Sequence, residues 1–170
     1  MFLERDTNDY NTVSFRHVLF HADDLDEDGE YSEEEIAAAA SEAEQLYAEW
    51  MTNPTEELFA NLAETYSDDS GSNTNGGLYE NVTQGQMVEP IDAWLFDEAR
   101  QPGDTEVLSY DGSNYTGTHI VYFVGPDEAT YAQALAETAL RTDTYNTWLQ
   151  EQVDAVTVTT SHLSMAGKNH

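Results

Sequence analysis

Residues Asp24-Leu25-Asp26-Glu27-Asp28-Gly29-Glu30-Tyr31-Ser32-Glu33-Glu34-Glu35 space oxygen donors at the intervals of a twelve-residue calcium loop. Asp24, Asp26 and Asp28 fall at positions 1, 3 and 5, and Gly29 supplies the sharp turn at position 6. Glu30 would ligate through its carbonyl, Ser32 holds position 9, and Glu35 is the bidentate ligand at position 12. A plainer use of the same residues is a capping box, with Ser32 and Glu35 closing the N-terminus of the next helix. That box employs two of the ligands and leaves Asp24, Asp26, Asp28 and Gly29 without a reason. A strand pattern precedes the loop, so a paired EF-hand is not expected. Elsewhere, His17 and His119 lie in strand-like segments, and Asp68-Asp69 ends a helical pattern. By residue type alone these are satisfied core histidines and a turn pair. Ser, His and Asp are all present, but no Gly-x-Ser-x-Gly elbow is, so a serine hydrolase is set aside.

The elements that must position these groups follow from apolar periodicity. Residues 13–21 alternate as a strand, with Val13, Phe15, His17 and Leu19 on one face. Ile36, Ala40, Ala43, Leu46, Tyr47 and Trp50 recur at helical spacing over 33–51, and Asn53-Pro54 stops that helix. Leu58, Phe59, Leu62, Ala63 and Tyr66 mark a second helix, and 67–77 is a turn-rich loop. A short helix is expected over 91–99, then strands over 105–110 and 118–124, with Gly125-Pro126 breaking the pattern. Tyr131, Leu135, Ala139, Tyr145, Leu149 and Val153 indicate an amphipathic helix, and 156–159 suggests an edge strand. The order predicts an α+β domain on an antiparallel sheet.

Composition narrows the partners. The 170 residues carry 34 acids against 5 Lys and Arg, a formal net charge of −29. Phosphate binding needs clustered cations, so nucleic acids and anionic membranes are excluded as main partners. Neutral or basic ligands and cations are favoured. Hydrophobic residues make up 39%, enough for a core and against wholesale disorder. Without Cys, disulfides and thiolate chemistry are out. No apolar run reaches the roughly 20 residues of a membrane span, and Met1-Phe2-Leu3-Glu4-Arg5-Asp6 has no signal-peptide core, as would a chain beginning after one.

Four segments in order resemble the parvulin-type (rotamase) peptidyl-prolyl isomerases. They are Phe15-Arg16-His17-Val18-Leu19; the stretch from Leu58 to Ser72; Asn75-Gly76-Gly77 leading to Gly85-Gln86-Met87-Val88-Glu89-Pro90-Ile91 and Phe96; and Gly117-Thr118-His119-Ile120-Val121. The resemblance spans 13–125. It implies a four-stranded antiparallel sheet surrounded by helices, with a groove for Xaa-Pro peptides. Under it, His17 and His119 are the paired core histidines, and Asp69 falls where the family has Cys or Asp. Met87, Ile91 and Phe96 match the proline pocket, with Tyr79 and Val82 at its wall. Two positions depart from the pattern: Ile91 stands where Phe is usual, and Gly76-Gly77 is followed by Leu78-Tyr79-Glu80.

The organisation read from the sequence is a flexible segment 1–12, a parvulin-like domain 13–125 with the calcium-type loop 24–35 inserted, and a helical extension 126–170. The expected activity is prolyl cis–trans isomerisation assisting the folding of extracytoplasmic bacterial proteins, secreted or surface-anchored. The acidity would equally suit a salt-adapted cytoplasm. Expected substrates are proline-containing unfolded or extended polypeptides, neutral or basic by preference. No cofactor is expected for catalysis, and calcium would be structural. Two other classes compete: a catalytically weak chaperone using the same groove, and a calcium-dependent interaction module.

Overall fold

A computed structural model describes residues 10–25 and 30–155. Strand β1 (Asn11–His21) is followed by helices α1 (Glu33–Trp50) and α2 (Glu56–Tyr66), strand β2 (Leu78–Val82) and helix α3 (Glu89–Leu95). Strands β3 (Thr105–Asp111) and β4 (Thr116–Thr130) lead into helix α4 (Tyr131–Ala155). The four strands form one antiparallel sheet in the order β2-β1-β4-β3. The expected α+β class and four-stranded sheet are therefore what the chain adopts. Residues through Ala134 form one compact unit, and those from Leu135 a second.

Alternation along β1 and β4 gives the sheet two different faces. Val18, Phe20 and Ile120 pack under α1 and α2 against Ala39, Ala43, Trp50, Phe59 and Ala63. The opposite face carries Val13, Phe15, Val121 and Phe123 against Ile91, Trp94 and Leu95 of α3. His17 and His119 lie on this second face, where the apolar layer gives way to a cleft.

Local signals bound α1 and α2 close to where the sequence indicates. Ser32 and Glu35 form the capping box of α1: Glu35 N donates to Ser32 Oγ at 3.3 Å, and Ser32 N to Glu35 Oε2 at 2.8 Å. Thr55 caps α2, and its carbonyl accepts from Trp50 Nε1 at 3.0 Å, fastening the turn between the helices.

Four sequence expectations need correction. The segment 1–12 is not loose where it is described: β1 begins at Asn11, and Thr12 is fully buried. The short helix starts two residues earlier and ends four earlier, because Pro90 suits the first turn of α3 and Phe96 already closes it. Leu78–Val82, unassigned by periodicity, is strand β2. Gly125-Pro126 does not end β4, which runs to Thr130 through register shifts against β1 between Asn11 and Val13 and between Ser14 and Phe15. Asp127 holds that irregular stretch: Ser14 Oγ donates to its Oδ1 at 2.6 Å, and Thr12 Oγ1 and Asn81 N to its Oδ2 at 3.1 and 3.0 Å. The amphipathic helix forms as α4, and the suggested strand at 156–159 lies outside the described residues.

Candidate active site

The two histidines meet because β1 and β4 are neighbours, with Leu19 opposite His119 and His17 opposite Val121. Their rings stack, with centroids 5.4 Å apart, and Nδ1 faces Nδ1 at 3.2 Å. His17 Nε2 lies 2.8 Å from Asp69 Oδ2, and His119 Nε2 lies 3.0 Å from the Tyr115 hydroxyl.

With both rings neutral, one set of tautomers satisfies every contact. Asp69 is a carboxylate and only accepts, so His17 Nε2 carries a proton and His17 Nδ1 accepts. His119 Nδ1 must then donate, and His119 Nε2 accepts from Tyr115 Oη. Each donor in the series Tyr115, His119, His17 therefore points toward Asp69.

Asp69 is the end of the series and takes three further donors. Ser72 Oγ donates to Oδ2 at 2.5 Å, Tyr79 Oη to Oδ2 at 2.9 Å, and Gly71 N to Oδ1 at 3.1 Å. The hydrogen bond from His17, opposed by burial and joined by those of Ser72, Gly71 and Tyr79, holds the carboxyl well below the ordinary carboxylate range. Burial first, then the unfavourable electrostatic influence of neighbouring His17 and His21 on a charged ring, lowers His119 to about 3. Burial also raises Tyr79, as does its donation to Asp69. Tyr115 is pushed up to about 12, mainly by burial. The cluster thus centres on the Asp69 carboxylate, held charged among converging hydrogen-bond donors.

Two glycines make the approach possible. Gly76 and Gly77 both have φ near +70° (71° and 70°). A Cβ on Gly77 would meet the His17 carbonyl oxygen at 2.2 Å. The two backbones are this close because His17 N donates to Gly77 O at 3.0 Å.

A cleft of about 350 Å³ opens over this cluster. His17, Asp69, His119, Tyr79, Met87 and Ile91 all line it, so the structure brings together six of the residues picked from the sequence. Val82 and Phe96 are placed differently. Val82 is fully buried in the second core opposite Val13. Phe96 packs at the edge of that core, edge-on to Tyr10 at 5.6 Å, and does not line the cleft.

Sequence reading missed Ser72, Tyr115, Leu19, His21 and Asp68. Ser72 stands three residues after Asp69, a spacing one turn can close, which was the available signal. It is 1% exposed and bonded to Asp69 and to His17 Nε2 at 3.2 Å, so it is no accessible nucleophile. Tyr115 precedes β4 by one residue and carried no signal of its own.

The metal expectation is divided. Asp26 and Asp28 lie outside the described residues. Glu35 is buried in the capping arrangement, its Oε1 accepting from Leu25 N at 2.5 Å. Among the described residues no three metal-ligating side chains are assembled.

The sequence profile of the PPIC-type PPIASE domain matches residues 2–125. The chain belongs to this peptidyl-prolyl isomerase family. No curated relative matches its sequence. Similar solved structures include the foldase protein PrsA of Streptococcus pneumoniae, at 14% identity and TM-score 0.42, covering 71% of this chain and 37% of that one. The peptidylprolyl isomerase PrsA of Bacillus cereus gives 17% and 0.45, covering 90% and 53%. A structure of the SurA-like chaperones PEB4 and Cj1289 of Campylobacter jejuni gives 16% and 0.42, covering 92% and 59%. The chain thus spans between about a third and three-fifths of these proteins.

Proposed function

We propose that this chain catalyses cis–trans isomerisation of Xaa-Pro bonds in unfolded or extended polypeptides, and that it assists protein folding outside the cytoplasm. The observation that supports this best is the cleft itself, where an ionised Asp69 lies beside the apolar surface of Met87, Ile91 and Tyr79.

Rotation about a prolyl amide faces a barrier of about 18–20 kcal/mol because resonance stiffens the C–N bond. Resonance places negative charge on the carbonyl oxygen, and twisting removes part of it. A carboxylate held near that oxygen disfavours the planar form more than the twisted one. A pocket that grips the ring lets the rest of the peptide turn, so binding is strongest to the twisted state. No covalent intermediate is needed. The histidine pair acts by orienting Asp69 and keeping it charged.

The test is enzyme-catalysed isomerisation of short Xaa-Pro peptides with varied Xaa. Acceleration is expected, and its absence for every Xaa at high protein concentration would sink the proposal. The weak-chaperone reading then takes over, favoured by Ile91 in place of an aromatic pocket wall.

The extracytoplasmic location is supported by the absence of Cys and by the loop 24–35, which would bind calcium only where calcium is abundant. The described bonds suit such a loop. Glu35 at position 12 reaches Leu25 at position 2, so the two ends already meet. Asp24, Asp26, Asp28, Glu30, Ser32 and Glu35 would hold the ion. Among the described residues no helix is long and apolar enough to cross a membrane. The charge of −29 favours neutral or basic polypeptides.

A further inference from the structure

The cleft continues past the catalytic cluster, and ring contacts fix the order of its parts. His21 lies 5.4 Å from Tyr115, Tyr115 5.8 Å from His119, His119 5.4 Å from His17, and His17 5.4 Å from Tyr79. Tyr79 packs with Met87 and Ile91 at the apolar end. At the other end the lining is Leu19, His21, Asp68 and Tyr115. A prolyl ring against Met87 and Ile91 puts the rotating amide over Asp69. The residue preceding proline then falls at the Tyr115 end.

We propose that Leu19, Asp68 and Tyr115 form a subsite for a cationic side chain, arginine before lysine, on the residue that precedes the proline. This rests on the isomerase reading above and adds to it a substrate class.

Asp68 is held as a rim charge. Its backbone N–H donates to Leu19 O at 2.9 Å, and its Oδ2 accepts from His21 N at 3.0 Å, so backbone and carboxylate are each tied to β1 by one bond. Leu19 offers apolar surface to an aliphatic stem. Tyr115 presents a ring that stays uncharged, its hydroxyl engaged with His119. A guanidinium stacks on such a face better than an ammonium does.

Among the described residues no Lys or Arg lines the cleft, so none of them competes for the role. The described arginines are engaged elsewhere: Arg16 with Glu56, Arg100 with Asp104 and the Trp94 ring, and Arg141 with Glu137. An acidic side chain at this position would instead face Asp68 and Asp69.

The experiment compares kcat/KM of the full chain on Ala-Xaa-Pro-Phe peptides with Xaa as Arg, Lys, Ala or Glu at low salt. Arg should exceed Glu by roughly tenfold or more, with Ala between, and salt should narrow the gap. Asp68→Asn should bring the Arg/Glu ratio toward one, and Tyr115→Leu should reduce Arg relative to Lys. Ratios within one variant are unaffected by any loss of folded protein. Equal rates for Arg and Glu in the parent, or a ratio that survives Asp68→Asn, would overturn the proposal. If no peptide is accelerated, the isomerase reading has failed. Dissociation constants of the same four peptides, from NMR titration, then decide the subsite on the same ranking.

Discussion

Lowering the pH from about 7.5 to about 4.5 should weaken this domain through His119. The ring is 2% exposed and neutral, donating to His17 and accepting from Tyr115. In the unfolded chain it takes a proton near its ordinary 6.5, whereas folding lowers it to about 3. The unfolded state therefore binds the proton first, so this stability is complete above 6.5 and drains away as the pH falls toward 3. At about 1.4 kcal/mol for each pH unit, reaching about pH 4.5 removes about 3 kcal/mol. Asp69, also lowered on folding, contributes fully above its ordinary 3.8 and loses that contribution only below it, outside this window. Acid also relieves repulsion among the chain's carboxylates, which masks the loss in the parent alone. Urea unfolding of parent and His119→Asn across this range cancels that shared effect. The difference between the two should change by about 3 kcal/mol. Parallel pH profiles would refute the reasoning, as would a folded-state His119 ring whose ¹⁵N signals titrate near 6.5.

His17→Ala should cost more in stability than in turnover, about 1–3 kcal/mol, because it strands the His119 donor and one acceptor site of Asp69; unchanged melting with abolished turnover would contradict that role. Gly77→Ala should leave little folded protein in circular dichroism, since it meets the His17 carbonyl at positive φ. Millimolar calcium should raise the melting temperature, with a Kd of about 10⁻⁴–10⁻³ M and little response to magnesium. Glu35→Gln keeps an acceptor for the capping box but removes the bidentate ligand, so an unaltered calcium shift in that variant would leave capping as the loop's purpose.

Much of the domain is written in local patterns. The alternation Val13, Phe15, His17, Leu19 assigns one face of β1 by a period of two, and the structure keeps those residues on one face. The helical repeat of Ile36 through Trp50, the Ser32–Glu35 box and Thr55 mark helix limits, because caps and stops are interactions within a few residues. Strand β2 is different. Leu78–Val82 shows partial burial at one end, exposure in the middle and a buried Val82, which no period-two pattern announces. It is a strand because β1 presents an edge to it, and Gly76-Gly77 let the chain come close enough to pair. The run of β4 beyond Gly125-Pro126 likewise depends on Asp127, whose partners lie 113 and 46 residues away in sequence at Ser14 and Asn81.

The site divides along the same line. His17, Asp69 and His119 could be singled out as types in motifs, yet their state is set by neighbours no motif contains. Ser72 and Tyr79 converge on Asp69 from the turn and β2, and Tyr115 completes His119 from the β3–β4 connection. Phe96 and Val82 match the pocket pattern in sequence but belong to the second core and do not line the cleft, because the packing of α3 and the β1–β2 register decide which side chains are buried. Sequence alone determined the helices, the faces of β1 and the residue types available for chemistry, because those depend on neighbours a few positions apart. Tertiary structure decided which groups share a proton network and which line the cleft, because burial and hydrogen bonding between distant segments exist only once the sheet has closed.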